Sequence, residues 1–564
     1  MLRMDGLKAP PAEPDTVEAR ETPPRAPDAP PTTRPGPDAA RITTAGRDRG
    51  ILRAMVHGRV LIAAAVVVVA AGIVLRFIAK SDMWLDEALT FNIARLPLGQ
   101  IHGALRRDGA PPLYYYLLHF WMRAFGTSDE AVRALSGVFS CATLPLLWVA
   151  GRRMGGRSMG ACALVLVATS PFAIRYASEN RMYALVGLLC AAGVVALQGV
   201  LRRPTPWNAL SVGAVAGLLL YTHYWSLYLV GVTLVWLLFQ ARWGPEGRRR
   251  GARVGVLATA LGCASFLPWL PTFLFQAHHT GTPWAKPADF AAMVNAVTSF
   301  AGGATNQGRA LALVYFALAG LGLFGVARGK LLVELDLRTR PRARVFAIVV
   351  AGTLAAAIVG GFASGSAFQA RYAWVVFVPL VLLVTLGLGT FADRRIRAGV
   401  LAATVAFGLA GGILTVWTSR TQAGQVASTL AKLGKPGDVV AFCPDQLGPS
   451  VNRLLPSGRY RQITFPRGIG PAFVNWVDYA KASAAGNAAA FAAELERLSA
   501  PDHQIWLVWA PGYQTFGTKC ENIETDLVTD SALIARQIFA PGKVADAWTG
   551  YENMDLVRYV HVGG

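Results

Sequence analysis

"LIAAAVVVVAAGIVLRFIA", residues 61–79, is followed after Lys80 by "SDMWLDEALTFN", residues 81–92. A helix needs about 20 predominantly apolar residues to cross a hydrocarbon core of roughly 30 Å, and the first stretch meets that requirement. The second then places two adjacent carboxylates, Asp86 and Glu87, a few residues beyond the end of a membrane helix. Which side of the membrane they face, and what meets them there, decides their chemistry.

The run at 61–79 is the first of many. Of 564 residues, 53% are hydrophobic and only 15% charged, which marks a polytopic α-helical membrane protein. Apolar stretches near 60–79, 131–150, 158–176, 182–201, 207–221, 224–240, 254–274, 309–327, 344–363, 371–390 and 398–417 give about eleven transmembrane helices. The formal charge of +21 is not one nucleic-acid-binding patch, because its arginines sit in short clusters between apolar runs. The clusters are Arg152, Arg153 and Arg157; Arg202 and Arg203; Arg242, Arg248, Arg249, Arg250 and Arg253; the segment Arg328 to Arg344; and Arg394, Arg395 and Arg397. They alternate along the chain, and by the positive-inside rule all face the cytoplasm. The opposite loops, with Asp86 and Glu87, then face outward.

Residues 1–52, rich in Pro and charge and poor in large apolar side chains, read as a disordered cytoplasmic tail rather than a signal peptide. A membrane domain is expected over 53–420, with a structured first outer loop at 80–130. "PPLYYYLLHFWMRAFG", residues 111–126, is too short for a span and reads as a juxtamembrane helix opened by Pro111 and Pro112. From 421 to 564 the apolar runs shorten to strand length ("DVVAFC", "QIWLVWA", "DLVRYVHV") around a helical "NAAAFAAELERLS", as in a small extracytoplasmic α/β domain. Cys443 and Cys520 are the only cysteines of that domain; an outer compartment permits a disulfide between them, and two free thiols are the alternative.

Further polar residues collect at the same outer ends. Arg175, Glu179 and Arg181 flank one turn, His223 and Tyr224 tip another, and Arg371 with Tyr372 opens a span. Ionisable groups at membrane depth are functional candidates. Each also has a plainer reading: Asp86 as a helix N-cap, the arginines as headgroup anchors, His223 and Tyr224 as interfacial side chains. The adjacent His278 and His279 do not naturally share one helical face, and no ligand cluster calls for a metal or other cofactor.

"WLDEALT", "PPLYYYLLHFWMRAFGTSDEAVRALSG", "WVAGRRMGG", "SENRMYAL" and "ARYAWVVFVPL", in this order over residues 60–420, resemble the successive blocks of the bacterial family 39 glycosyltransferases. These are relatives of the protein O-mannosyltransferases and the lipid A aminoarabinose transferases. The resemblance implies a GT-C fold and a sugar, mannose or another hexose or pentose, carried on polyprenyl phosphate. It implies transfer with inversion to an extracytoplasmic acceptor, whether protein, glycolipid or polysaccharide. It places the general base at Asp86, followed by Glu87, and the second acidic site at Glu179. The donor phosphate falls to Arg371, Arg181, Arg175 and Tyr372. Relatives commonly carry His or Lys where this chain has Ala110; Arg106 and Arg107, with His223 and Tyr224, are the further candidate substrate contacts. The alternative is a transporter or flippase of a lipid-linked saccharide, for which internal inverted repeats are the expected sign.

Overall fold

In a computed structural model of the protein, residues 59–281, 289–303, 305–364, 368–510, 517–539 and 552–562 are described. The Pro-rich segment 1–52 lies outside these, as does most of the loop around Ala285. The chain divides into two compact units. Of the first, Met1–Ala63, only residues 59–63 are described, and they are helical. Apart from those residues, which begin the helix at 59–75, all that follows concerns the second, Ala64–Gly564.

Helix α1 (Arg59–Leu75) leads into the segment 80–130, which is itself largely helical: α2 (Leu85–Ala94), α3 (Leu98–Asp108) and α4 (Leu113–Phe125). Gly109, at φ +87°, ends α3 in the left-handed region that glycine adopts without a Cβ penalty. Pro111 and Pro112 follow, and the helix expected from sequence opens just after them as α4. A long helical run, α5 (Asp129–Ala168), starts at Ser128, whose side chain accepts from the Ala131 N–H. It is two spans joined at Gly155 and Gly156, the latter at φ +83°.

The bundle continues through α6 (Pro171–Ala177), α7 (Tyr183–Arg202), α8 (Pro206–Thr222), α9 (Ser226–Trp243), α10 (Glu246–Ala264), α11 (Leu270–His279) and α12 (Phe290–Ser299). After α13 (Asn306–Phe324) comes a two-stranded hairpin, β1 (Gly325–Ala327) with β2 (Val333–Leu335). Helices α14 (Pro341–Ser364), α15 (Trp374–Leu388) and α16 (Arg394–Trp417) complete the bundle. Among the described residues, eight helical runs are long and apolar enough to cross a membrane, the broken α5 counted once. Each of the eleven apolar stretches read from sequence overlaps helix, but eight runs rather than eleven have the length and hydropathy of a span, and the stretch 309–327 ends in β1. The α15 helix is the central one, with every side chain buried, which is why it is apolar all round.

The C-terminal part is an α/β layer structure. Its elements are α17 (Ala423–Leu433), β3 (Val439–Cys443), α18 (Gly448–Leu454), β4 (Arg461–Thr464), α19 (Tyr479–Ala485), α20 (Ala488–Ser499), β5 (Ile505–Trp509), α21 (Gly517–Thr529), β6 (Leu533–Phe539) and β7 (Asp555–His561). The sheet order is β4-β3-β5-β7-β6; β3 is parallel to β4 and β5, and β7 is antiparallel to β5 and β6. Alternation along β3 sends Val440 and Phe442 to the face covered by α17 and α18. Val439, Ala441 and Cys443 go to the opposite face, where they meet α20, α21 and, from the start of α2, Trp84, Leu85 and Leu89. Burying such side chains stabilises by roughly 1.5–3 kcal/mol each, so this core fastens the domain onto the loop that carries the acidic pair. Cys443 and Cys520 are joined in a disulfide that ties β3 to α21.

Candidate active site

Helix α2 begins at Trp84, whose side chain does not cap it, so Asp86 lies inside the first turn and is not the N-cap. Successive residues of a helix point about 100° apart. Asp86 and Glu87 accordingly face different surroundings.

Asp86 turns to a cluster with some opening to the outside. Its Oδ2 lies 3.3 Å from Arg371 Nη2 and 3.8 Å from Arg181 Nη2, and the three side chains keep 15%, 14% and 12% exposure. That oxygen accepts no hydrogen bond from any described residue, and Arg371 Nε, Arg181 Nε and the Tyr183 hydroxyl are likewise buried without one. The Arg371 guanidinium lies 5.3 Å from the Trp84 ring centre and 5.7 Å from that of Tyr372. Arg181 is held by Thr90 Oγ1 at 2.9 Å and the Tyr115 hydroxyl at 3.3 Å, and Tyr115 donates in turn to Asp108 Oδ2 at 3.0 Å. Burial works against the charge on Arg181, but Asp86 and the neighbouring phenols more than reverse this and hold it protonated. Burial pushes the Asp108 carboxyl up.

Glu87 is fully buried. Arg133 grips both its oxygens at 2.7 Å, the Asn180 N–H donates to Oε1 at 2.9 Å, and Arg420 Nη1 stands 3.5 Å from Oε2. Burial alone would raise its pKa; Arg133 and Arg420 overturn that and hold it at about 2. Its acceptor sites are thus occupied inside the protein.

The "SENR" turn distributes its partners residue by residue. The carbonyl and hydroxyl of Ser178 accept from Arg420 at 2.9 and 2.8 Å, Glu179 pairs with Arg175, Asn180 holds Glu87, and Arg181 faces Asp86. Glu179 and Arg175 are buried and paired with each other. Across the whole cluster five guanidiniums (Arg133, Arg175, Arg181, Arg371, Arg420) meet four carboxylates (Asp86, Glu87, Asp108, Glu179), which leaves positive charge in excess.

The other candidates fall in two groups. His223 packs between Tyr183 and Tyr372, with ring centres 5.7 and 5.6 Å away, and its Nδ1 accepts from the Trp225 N–H. Burial, then Arg181 and Arg371, lower its pKa to about 3, so it lines the site as a neutral imidazole. Tyr224 is committed elsewhere: its hydroxyl accepts from Trp269 and donates to Gln276. Arg106 and Arg107 do not join the cluster; both are exposed on the last turn of α3, Arg106 stacked 3.8 Å over Phe275. Among the described residues no three His, Cys, Asp or Glu side chains gather as metal ligands.

Residues missed from sequence include Arg133, Asn180, Arg420, Tyr115 and Tyr183. Arg133 carried a signal, a charge one turn into an apolar span. Asn180 and Arg420 carried none, because their partners are 93 and more than 240 residues away.

With this geometry in hand, the relationships of the chain can be stated. Residues 109–269 match the family model described as Dolichyl-phosphate-mannose-protein mannosyltransferase. The crystal structure of ArnT from Cupriavidus metallidurans in the apo state is similar at 14% identity, over 90% of this chain and 98% of that one, with a TM-score of 0.52. The same protein bound to undecaprenyl phosphate aligns at 14% identity over 88% and 97%, with a TM-score of 0.49. The Archaeoglobus fulgidus oligosaccharyltransferase in complex with Zn and sulfate aligns at 12% identity over 79% and 67%, at 0.46. No curated protein sequence matches. The fold is that of the GT-C glycosyltransferases in a multi-pass membrane protein. The segment supplying Tyr115, Arg181 and His223 is family 39-like, in keeping with the resemblance drawn from the sequence blocks.

Proposed function

We propose that this protein is a membrane glycosyltransferase that moves a sugar from a polyprenyl-phosphate donor to a hydroxyl acceptor outside the cytoplasmic membrane. The observation that carries this reading is the Asp86 cluster: a carboxylate oxygen without a hydrogen bond, 3.3 and 3.8 Å from two partly exposed guanidiniums. An acceptor hydroxyl is a weak nucleophile, and a carboxylate can take its proton as the bond to the sugar forms. Asp86 is the base in this reading. The new bond joins the acceptor oxygen to the anomeric carbon, the bond from that carbon to the phosphate oxygen breaks, and the phosphate leaves with the electron pair. Arg371 and Arg181 meet the charge that develops there, and Tyr372 and Tyr183 line the same space. A single base opposite the leaving group gives inversion.

Glu87, Arg133, Asn180 and Arg420 hold α2 and the "SENR" turn against each other and make no contact with substrate. In this reading the hairpin of β1 and β2 lies inside and the C-terminal domain outside, an orientation supported by the basic clusters through the positive-inside rule. The donor class rests on the excess positive charge and on the dolichyl-phosphate-mannose family segment. The test is transfer of radiolabelled sugar from a polyprenyl-phosphate donor by the purified protein in vesicles without any gradient. Movement of the intact lipid across the bilayer, with no sugar transferred to any hydroxyl acceptor, would overturn the reading in favour of a flippase.

A further inference from the structure

The N-terminus of α2 is capped from a distance. The first N–H groups of a helix have no partner within it, and Trp84 supplies no side-chain cap. Instead Glu552 Oε1 accepts from the Leu85 N–H at 2.7 Å, across 467 residues of chain. Glu552 is 2% exposed and belongs to the C-terminal domain, at the start of the segment leading into β7. Its backbone is fixed as well: its N–H donates to the Arg420 carbonyl at 3.0 Å and its carbonyl accepts from the Gln422 N–H at 3.2 Å. Thr421 and Ser450 face its carboxyl group. Arg420, bonded on one side of Glu552, reaches Glu87 on the other. The residue next to the capped N–H is Asp86.

We infer that Glu552 is a positioning residue: it caps the helix that bears Asp86 and so makes the C-terminal domain part of the machinery that aims the base. This rests on the role proposed for Asp86, although the cap itself does not. The capping atom is a single oxygen. Burial pushes the Glu552 carboxyl up to about 8, so near neutral pH it is mostly a neutral acid, for which glutamine is the closest isostere. Glu552→Gln keeps an oxygen toward Leu85 and presents an amide to the Thr421 and Ser450 hydroxyls. Glu552→Leu keeps the bulk and removes the acceptor.

Two readouts on the purified full-length protein test this. Amide hydrogen exchange at Leu85 should quicken in Glu552→Leu while the C-terminal sheet exchanges as before, and should stay slow in Glu552→Gln. In the transfer assay kcat should fall roughly 10- to 100-fold in Glu552→Leu, the scale for a misplaced catalytic group, with donor KM little changed and the glutamine variant near the parent. Unchanged exchange at Leu85 in Glu552→Leu would overturn the inference. So would exchange quickened equally throughout the sheet, which would make Glu552 a residue of the fold alone, or a glutamine variant as impaired as the leucine one. If the parent protein transfers no sugar, the functional reading fails, and exchange at Leu85 still decides the cap.

Discussion

Asp86→Asn and Glu87→Gln change neighbouring residues in the same way and should fail in opposite manners. Glu87 receives two bonds of 2.7 Å from Arg133 and one of 2.9 Å from Asn180, with Arg420 at 3.5 Å, in a fully buried setting. Neutralising it leaves two buried guanidiniums uncompensated. Breaking a buried pair by removing one partner costs about 3–5 kcal/mol, a large share of the roughly 5–15 kcal/mol that holds a typical domain folded. Asp86 Oδ2 has no hydrogen bond to lose, and its ion pairs keep some access to solvent. Asp86→Asn should therefore destabilise less, bind donor as well as or better than the parent, and lose about 100-fold or more in turnover. Retention of monodisperse protein after graded heating measures the first effect, and transfer per folded molecule the second. If Glu87→Gln proves heat-stable but inactive while Asp86→Asn is heat-labile yet turns over normally per folded molecule, the assignment of the two carboxylates is wrong.

Arg371→Ala should raise donor KM by about 10-fold or more, since it removes charge-assisted bonds worth roughly 1.5–3 kcal/mol, and donor binding should weaken by the same factor. Burial raises the Asp445 carboxyl to about 7 in the fold, against about 3.9 in an unfolded chain. Between those values the folded protein keeps a proton that the unfolded chain has lost. This contribution is full at low pH and disappears as pH rises through 7, by about 1.4 kcal/mol per unit. Thermal unfolding from pH 5 to 8 should be less pH-dependent in Asp445→Asn, and equal slopes would refute the buried acid. Glu87 has the opposite sign, its contribution present above 4.5 and lost as pH falls toward 2. A single cysteine replacing the exposed Lys481 should be labelled in intact cells, and one replacing Arg249 only after the cells are opened; the reverse pattern would invert the orientation.

The tail domain shows what made elements legible. The strands visible as apolar runs, β3, β5 and β7, are the three inner strands of the sheet. The two that were not, β4 with "RQIT" and β6 with "LIARQIF", are its edges. An inner strand with helices on both faces must be apolar on every residue, as β3 and β5 are, whereas an edge strand keeps polar side chains and loses the signal. In the site, Asp86, Arg181 and Arg371 were legible because charge at the end of an apolar run is conspicuous. Tyr224, Arg106 and Arg107 were equally conspicuous and lie elsewhere.

By itself, then, the sequence determined the apolar helices, the short helix after Pro112 and the layered tail, because hydrophobicity and its period are properties of short stretches of chain. It also put an acidic pair and several arginines at one end of the bundle. Only the tertiary structure decided which carboxylate of the pair is held and which is open. That choice rests on Arg133, Asn180, Arg420 and Glu552, which lie 46 to 467 residues from their partners on α2 and are brought there by packing rather than by any local pattern.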